Sequence, residues 1–181
     1  MAGVVSSTYG HALFEIAVSE GTVDRLLSEA ETVLQVLSDN PDVLRLYEHP
    51  KITPEEKQAF TENCFKGRVS DDMTGLLVLA VHNGRHKELP DMLRDIIREA
   101  KEYKGIGIAT VTTPFELTPQ QRAKVEERIL ATSGYRSLEV QYRIDSKLIG
   151  GIVIRIGDRV MDASIRTQLD DMQKDLMQVQ I

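Results

Sequence analysis

The 181 residues include no tryptophan, one cysteine and few other aromatics, and each scarcity narrows what the chain can do. The lone Cys64 has no partner for an internal disulfide, and its place in a helical apolar pattern with Phe60 predicts a small buried hydrophobe. Positive charge is also short: 22 lysines and arginines face 28 acids, a net charge of -6, which argues against a nucleic-acid or anionic-membrane surface. The densest basic stretch, Arg94, Arg98, Lys101 and Lys104, is interleaved with Asp95, Glu99 and Glu102 and reads as a solvated helix face. No apolar run approaches the roughly 20 residues needed to span a bilayer, and residues 1–7 are too short and uncharged for a signal peptide. A soluble compartment is expected. With 41% hydrophobic residues, the chain can build a real core in one or two domains.

Helical periodicity dominates the first hundred residues. Tyr9, Ala12, Leu13, Ile16 and Ala17 form a stripe that ends at Gly21, and Thr22 opens a second helix carrying Val23, Leu26, Leu27, Ala30, Val33, Leu34 and Leu37. Asn40-Pro41 starts a short third helix. Thr53-Pro54-Glu55-Glu56 is a capping box for a fourth running toward Cys64. Residues 70–72 cap a fifth that stops near Asn83-Gly84. Leu89-Pro90 opens a sixth with Leu93, Ile96, Ile97, Ala100 and Tyr103 inward. The first and fifth helices are more apolar than a bundle requires: Phe14 and Val18 widen the first stripe, and residues 76–81 of the fifth are unbroken by any polar residue. The surplus is either a tightly buried central position or a groove for another helix.

After Gly105 the period changes to two. Ile106, Ile108, Thr110 and Thr112 alternate with Gly107, Ala109, Val111 and Thr113, and Thr118-Pro119-Gln120-Gln121 repeats the capping box for a helix with Val125 and Ile129. Leu138 to Ile144 alternates again, with Val140, Tyr142 and Ile144 on one face. Leu148 to Arg155 is rich in β-branched residues, Gly157 provides a tight turn, and residues 159–161 return as a second strand. Gly150 and Gly151 mark a bulge or a close backbone approach. Ile165, Leu169, Met172, Leu176 and Val179 then recur at steps of four and three, a narrow helical seam with Asp162 or Ser164 as N-cap. The expected class is α+β: a six-helix bundle over 1–105, then a small α/β domain over 106–181.

Candidates for catalysis are poor. His82 and His86 stand four apart, but Asn83-Gly84 between them ends the helix and no third ligand is spaced to join them, while His11 and His49 are isolated. Gly150-Gly151 precedes a strand and lacks the lysine-serine tail of a phosphate loop. Asp158 and Asp162 read as a turn aspartate and an N-cap aspartate, not as an acid and base pair. No metal site, cofactor site or nucleophile with its base is expected.

Three segments carry a resemblance. Residues 9–14, YGHALF, residues 76–90, LLVLAVHNGRHKELP, and above all residues 145–171, DSKLIGGIVIRIGDRVMDASIRTQLDD, resemble the bacterial delta subunit of F-type ATP synthase, a relative of the oligomycin-sensitivity-conferring protein. Thr8 stands where that family commonly has a basic residue, and Ala163 where it often has glycine. The resemblance implies a non-catalytic stator subunit that binds no nucleotide, sits peripherally on the cytoplasmic face of the bacterial membrane, and touches the membrane only through the complex. It implies that the bundle grips the N-terminal helix of an alpha subunit between its first and fifth helices. Tyr9, Ala12, Leu13, Ile16, Leu76, Leu79, Ala80 and Asn83 are the positions expected to line that groove. The α/β domain would contact b-type stalk subunits through Gly150, Gly151, Leu169, Met172, Leu176 and Val179. The competing readings are a helical adaptor for another amphipathic helix and a small enzyme using His82 or His86.

Overall fold

The computed structural model describes residues 2–49 and 51–178, with side chains for 9–49, 51–169 and 172–174. Two compact units divide the chain, Met1–Tyr103 and Lys104–Ile181. The first contains α1 (Ala2–Glu20), α2 (Val23–Asp39), α3 (Pro41–Glu48), α4 (Pro54–Phe65), α5 (Asp71–His82), one 3-10 turn (His86–Glu88) and α6 (Leu89–Tyr103). The second contains β1 (Ile106–Thr113), α7 (Pro119–Ser133), β2 (Ser137–Ile144), β3 (Gly151–Ile156), β4 (Arg159–Ser164) and α8 (Ile165–Gln178). The class is thus mixed α+β, with helices first and a four-stranded sheet after them.

Helix boundaries follow side-chain chemistry. Thr53 accepts from the Glu56 amide while Glu56 accepts from the Thr53 amide, which satisfies two of the amides left unpaired at the start of α4. Thr118 and Gln121 do the same for α7. Ser70 caps α5 by accepting from the Met73 amide at 3.3 Å, and its own hydroxyl donates to Glu29 on α2 at 2.5 Å. Burial disfavours the Glu29 carboxylate, but hydrogen bonds from Ser70 and Arg25 more than offset this and hold its pKa below the usual value.

α6 forms the core of the first unit. It packs along α1 and α2, while α4 lies along α5. Met92, Leu93, Ile96 and Ala100 are completely buried, recurring at helical spacing on the face turned to α1 and α2. Gly10 lets α1 come close to α6, because a Cβ there would lie 3.2 Å from Ile96 Cγ1 and 3.4 Å from the Met92 carbonyl oxygen. Tyr103, expected inward, is 61% exposed; it lies at the end of α6 and meets Phe14 edge-on at 5.8 Å. Cys64 is half-buried and not enclosed, since α4 is largely amphiphilic and buries only Thr61 fully.

The sheet order is β2-β1-β3-β4, with β1 parallel to β2 across α7 and the other pairs antiparallel. Ala109, Val111 and Ile129 are its buried centre, supported by Val125, Val140, Tyr142, Ile152, Ile154 and Ile156. Ile144, on the same face of β2 as Val140 and Tyr142 by alternation, is 62% exposed at the strand's end. Strand β3 begins at Gly151 and not at Leu148, and β4 runs to Ser164 and not to Met161. Ile156 stays in the ladder opposite Arg159, leaving Gly157 and Asp158 as a two-residue turn with φ +55° at the glycine. β4 is longer than its three-residue apolar pattern because backbone pairing with β3 carries Asp162, Ala163 and Ser164 along.

Candidate partner-binding surface

α1 and α5 pack against each other, and their shared outer edge is apolar. Ile16 is 45% exposed and Leu79 44% exposed, Ala12 is open to solvent, and Leu13, Leu76 and Ala80 are buried. The expected groove residues are therefore brought together, but in two layers: three form the floor and belong to the core, while Ala12, Ile16 and Leu79 present the surface. Half-buried Tyr9 and exposed Asn83 close one end, where the Asn83 amide donates to the Tyr9 hydroxyl at 3.5 Å. The Arg85 guanidinium lies 5.5 Å from the Tyr9 ring centre, a cation-π contact that holds the phenol in place.

The other end was not legible from periodicity. A pocket of about 290 Å³ opens where the C-terminal end of α1 meets the starts of α2 and α5. Leu13, Ile16, Ala17 and Leu26 contribute its apolar wall; Glu20, Asp71 and Asp72 stand at its rim. The signal in the sequence was Ser70-Asp71-Asp72, which reads as a cap and first-turn acids and gives no hint that α1 terminates beside them.

In the second unit Ile165, Leu169 and Met172 are exposed by 42%, 54% and 63%, so the described part of the α8 seam is open. The side chain of Leu176 and the whole of Val179 lie outside the described residues. Gly150 and Gly151 have a local explanation. Gly150 is buried, and a Cβ on it would lie 2.5 Å from Ile165 Cδ1; the Gly151 Cβ would run into the Ala163 carbonyl oxygen. Ser164 is the N-cap of α8, accepting from the Thr167 amide at 3.3 Å, whereas Asp162 braces the cap through the Ser164 amide and the Thr167 hydroxyl, both at 2.8 Å.

The histidines do not converge. His82 ends α5 in solvent, whereas His86 is half-buried with its ring centre 6.0 Å from that of Tyr47. Burial first, then Lys57 and Lys87, depress its pKa against the opposing pull of Glu48. His11 behaves oppositely: its Nδ1 is 3.0 Å from Glu99 Oε2, and that hydrogen bond and charge raise its pKa, with Glu15 adding to the effect. His11 thus stabilises the fold below the ordinary histidine pKa and stops doing so as pH rises through its raised value. His86 must charge in the unfolded chain before it charges in the folded one, so it costs stability as pH falls below the ordinary value. Thermal melts at about pH 5.5 and about pH 8 should therefore separate them: His11→Gln lowers Tm mainly at the acid pH, and His86→Gln relieves a loss there. Equal shifts at both pH values for both variants would contradict these assignments. Among the described residues no three histidine, cysteine or carboxylate groups are placed to hold a metal.

An open apolar edge between two helices, with a second open seam on α8, defines a connector, a protein that works by holding other chains. Residues 5–176 match the family described as ATP synthase delta (OSCP) subunit. The chain is 41% identical over its full length to the whole of ATP synthase subunit delta from Lachnoclostridium phytofermentans, and 33% identical to that from Alkalihalophilus pseudofirmus, covering 96% of this chain and 95% of the relative. A chain in the cryo-EM structure of the Toxoplasma gondii mitochondrial ATP synthase hexamer superposes with a TM-score of 0.77 over 95% of this chain and 97% of its own, at 17% identity, a likeness of fold. The chain belongs to the ATP synthase delta (OSCP) family. It is a non-catalytic peripheral-stalk component of F-type ATP synthase, one subunit among others of a membrane-bound complex. Among the described residues no helix is long and apolar enough to cross a membrane.

Proposed function

We propose that α1 to α6 act as a six-helix bundle that receives the N-terminal helix of an alpha subunit along the α1/α5 edge, while the 106–181 domain holds the b-type stalk subunits. Family membership supplies the complex, and the observation that supports the surface is the exposure of Ile16 and Leu79 on adjacent helices above a fully formed core. Single exposed apolar side chains are ordinary, but two on helices that touch, with Ala12 also exposed, offer apolar surface that an amphipathic helix can cover. The core beneath is already ordered, so docking spends little conformational entropy on this side, which suits a joint that must hold the catalytic head still against the rotor. The exposed Leu169 and Met172 support the stalk contact, since a narrow apolar seam on a helix packs best on other helices. Gly150 and Gly151 lend that contact no support, because their own chain occupies the space beside them. The chain would then lie peripherally on the cytoplasmic face of a bacterial membrane, attached through the complex.

Titration of the full chain with a peptide of the alpha subunit's N-terminal helix tests the first contact. Amide resonances of residues on α1 and α5 should shift, those around Tyr9, Ile16 and Leu79 most. Shifts confined to other helices would overturn the reading and favour an adaptor for a different helix.

A further inference from the structure

The α1/α5 edge has two unlike ends and an unexplained glycine. α1 and α5 run antiparallel along it, because Tyr9 meets Asn83 at one end and the pocket brings Ile16, Ala17 and Glu20 beside Asp71 and Asp72 at the other. The first end carries an amide, a phenol and the Arg85 guanidinium. The second carries three carboxylates over an apolar wall. Arg25 and Glu29 line the same pocket as a pair at 2.8 Å, with the Arg25 charge also favoured by Asp72 and Asp71, and Lys66, paired with Glu62 at 2.8 Å, is favoured by Asp71; the pocket's four carboxylates still outnumber its one cation.

Gly75 lies on the exposed side of α5, one turn before Leu79 and one turn after Asp71. A glycine inside a helix weakens it relative to alanine, so it calls for a reason. At Gly10 the reason is the near contact with α6, and at Gly151 it is backbone crowding and φ +85°. Gly75 has neither: its φ is not positive, and a Cβ there would meet nothing within 4 Å in this chain. What an exposed helical glycine offers is room for another backbone to come close, as small residues do wherever helices cross tightly.

We propose that the α1/α5 edge takes its helix in one orientation, with the helix backbone crossing close over Gly75 and a cationic end lodged among Glu20, Asp71 and Asp72. The inference rests on the helix-docking reading above and adds the chemistry of the occupant: an amphipathic helix with a small residue at the crossing and lysine or arginine at one end only. Rim charges of this kind choose register and raise association rate more than they add affinity, and salt screens them.

Two experiments on the full chain test it. In the first, a synthetic amphipathic helix with two lysines at one end carries a nitroxide at that end. Amide signals near Asp71 and Asp72 should be broadened and those near Asn83 spared, and the preference should vanish in the Glu20→Gln, Asp71→Asn, Asp72→Asn variant. Binding with equal broadening at both ends overturns the orientation while leaving the docking reading intact; no binding at all removes both. In the second, Gly75→Ala should raise Tm by about 4 °C, since alanine strengthens the helix, and yet weaken the peptide about tenfold. Greater stability with unchanged affinity would show that nothing crosses at Gly75. Gly75→Leu should weaken binding further.

Discussion

Leu79→Asp should detach this subunit from the catalytic head while leaving it folded. Leu79 is 44% exposed in the free chain, so an aspartate there keeps its water, and the cost to α5 is below about 1 kcal/mol from propensity and an acid near the helix C-terminus. In the docked state the same carboxylate would lie beneath an apolar helix face, and Arg85, at the same end of the edge, is held over Tyr9. Burying an unpaired charge is far more costly than losing a contact, and the expected loss of affinity is about 100-fold or more. The check is co-purification with the alpha and beta subunits after mild extraction, beside circular dichroism of the isolated variant. Val36→Asp is the control: Val36 is 41% exposed on α2, outside the edge, and its variant should keep the head. A head retained by Leu79→Asp, or lost equally with Val36→Asp, would defeat the α1/α5 reading.

The elements were legible wherever local chemistry decides them. Thr53 and Thr118 cap their helices through the reciprocal bonds that their spacing to Glu56 and Gln121 implies, and the change of period after Gly105 marks the passage from helix to sheet. Legibility failed where pairing between distant segments overrides local pattern. Nothing within residues 162–164 announces a strand; β3 imposes one, and of the two caps expected for α8, Asp162 and Ser164, it is Ser164 that accepts from the Thr167 amide. Tyr103 has the spacing of an inward residue, but α6 has run past its neighbours at that point and the ring lies largely in solvent.

The surface was half legible for a related reason. Hydrophobic excess on α1 and α5 predicted that these helices do more than fill a core, yet periodicity cannot divide one stripe into floor and surface. That division depends on how deeply each residue sits in the packed bundle core, and it sends Leu13, Leu76 and Ala80 inward while leaving Ala12, Ile16 and Leu79 outside. The acidic end could not be read at all, because Glu20 and Asp71 are 51 residues apart in sequence and become neighbours only through the packing of α1, α2 and α5.

Gly151→Ala provides the sharpest separation between an internal and an external role for the paired glycines. Two effects act together at this position. The backbone is at φ +85°, where an L side chain is strained, and the new Cβ would press on the Ala163 carbonyl oxygen and lie 2.8 Å from Ser164 Cα. Both atoms are backbone, so no flexible side chain can swing away, and relief requires β3 and β4 to separate. A cost of about 3–5 kcal/mol follows. Gly134→Ala isolates the first effect: the φ is +75°, but a Cβ there meets nothing, and about 1 kcal/mol is expected. Hydrogen exchange on the full chain is the measurement. With Gly151→Ala, protection should collapse in β3, β4 and the start of α8, where the Ile165 amide donates to the Gly150 carbonyl, while α1 to α6 keep theirs because the first unit has its own core. If the glycine instead existed to admit a stalk helix, Gly151→Ala would exchange like the wild type and lose only its partner. The crowding by Ala163 and Ser164 decides for the first outcome, and it explains why a helix cap, a strand pairing and two glycines fall within fifteen residues: they are parts of one joint between hairpin and α8, and the open seam of Leu169 and Met172 is aimed by it.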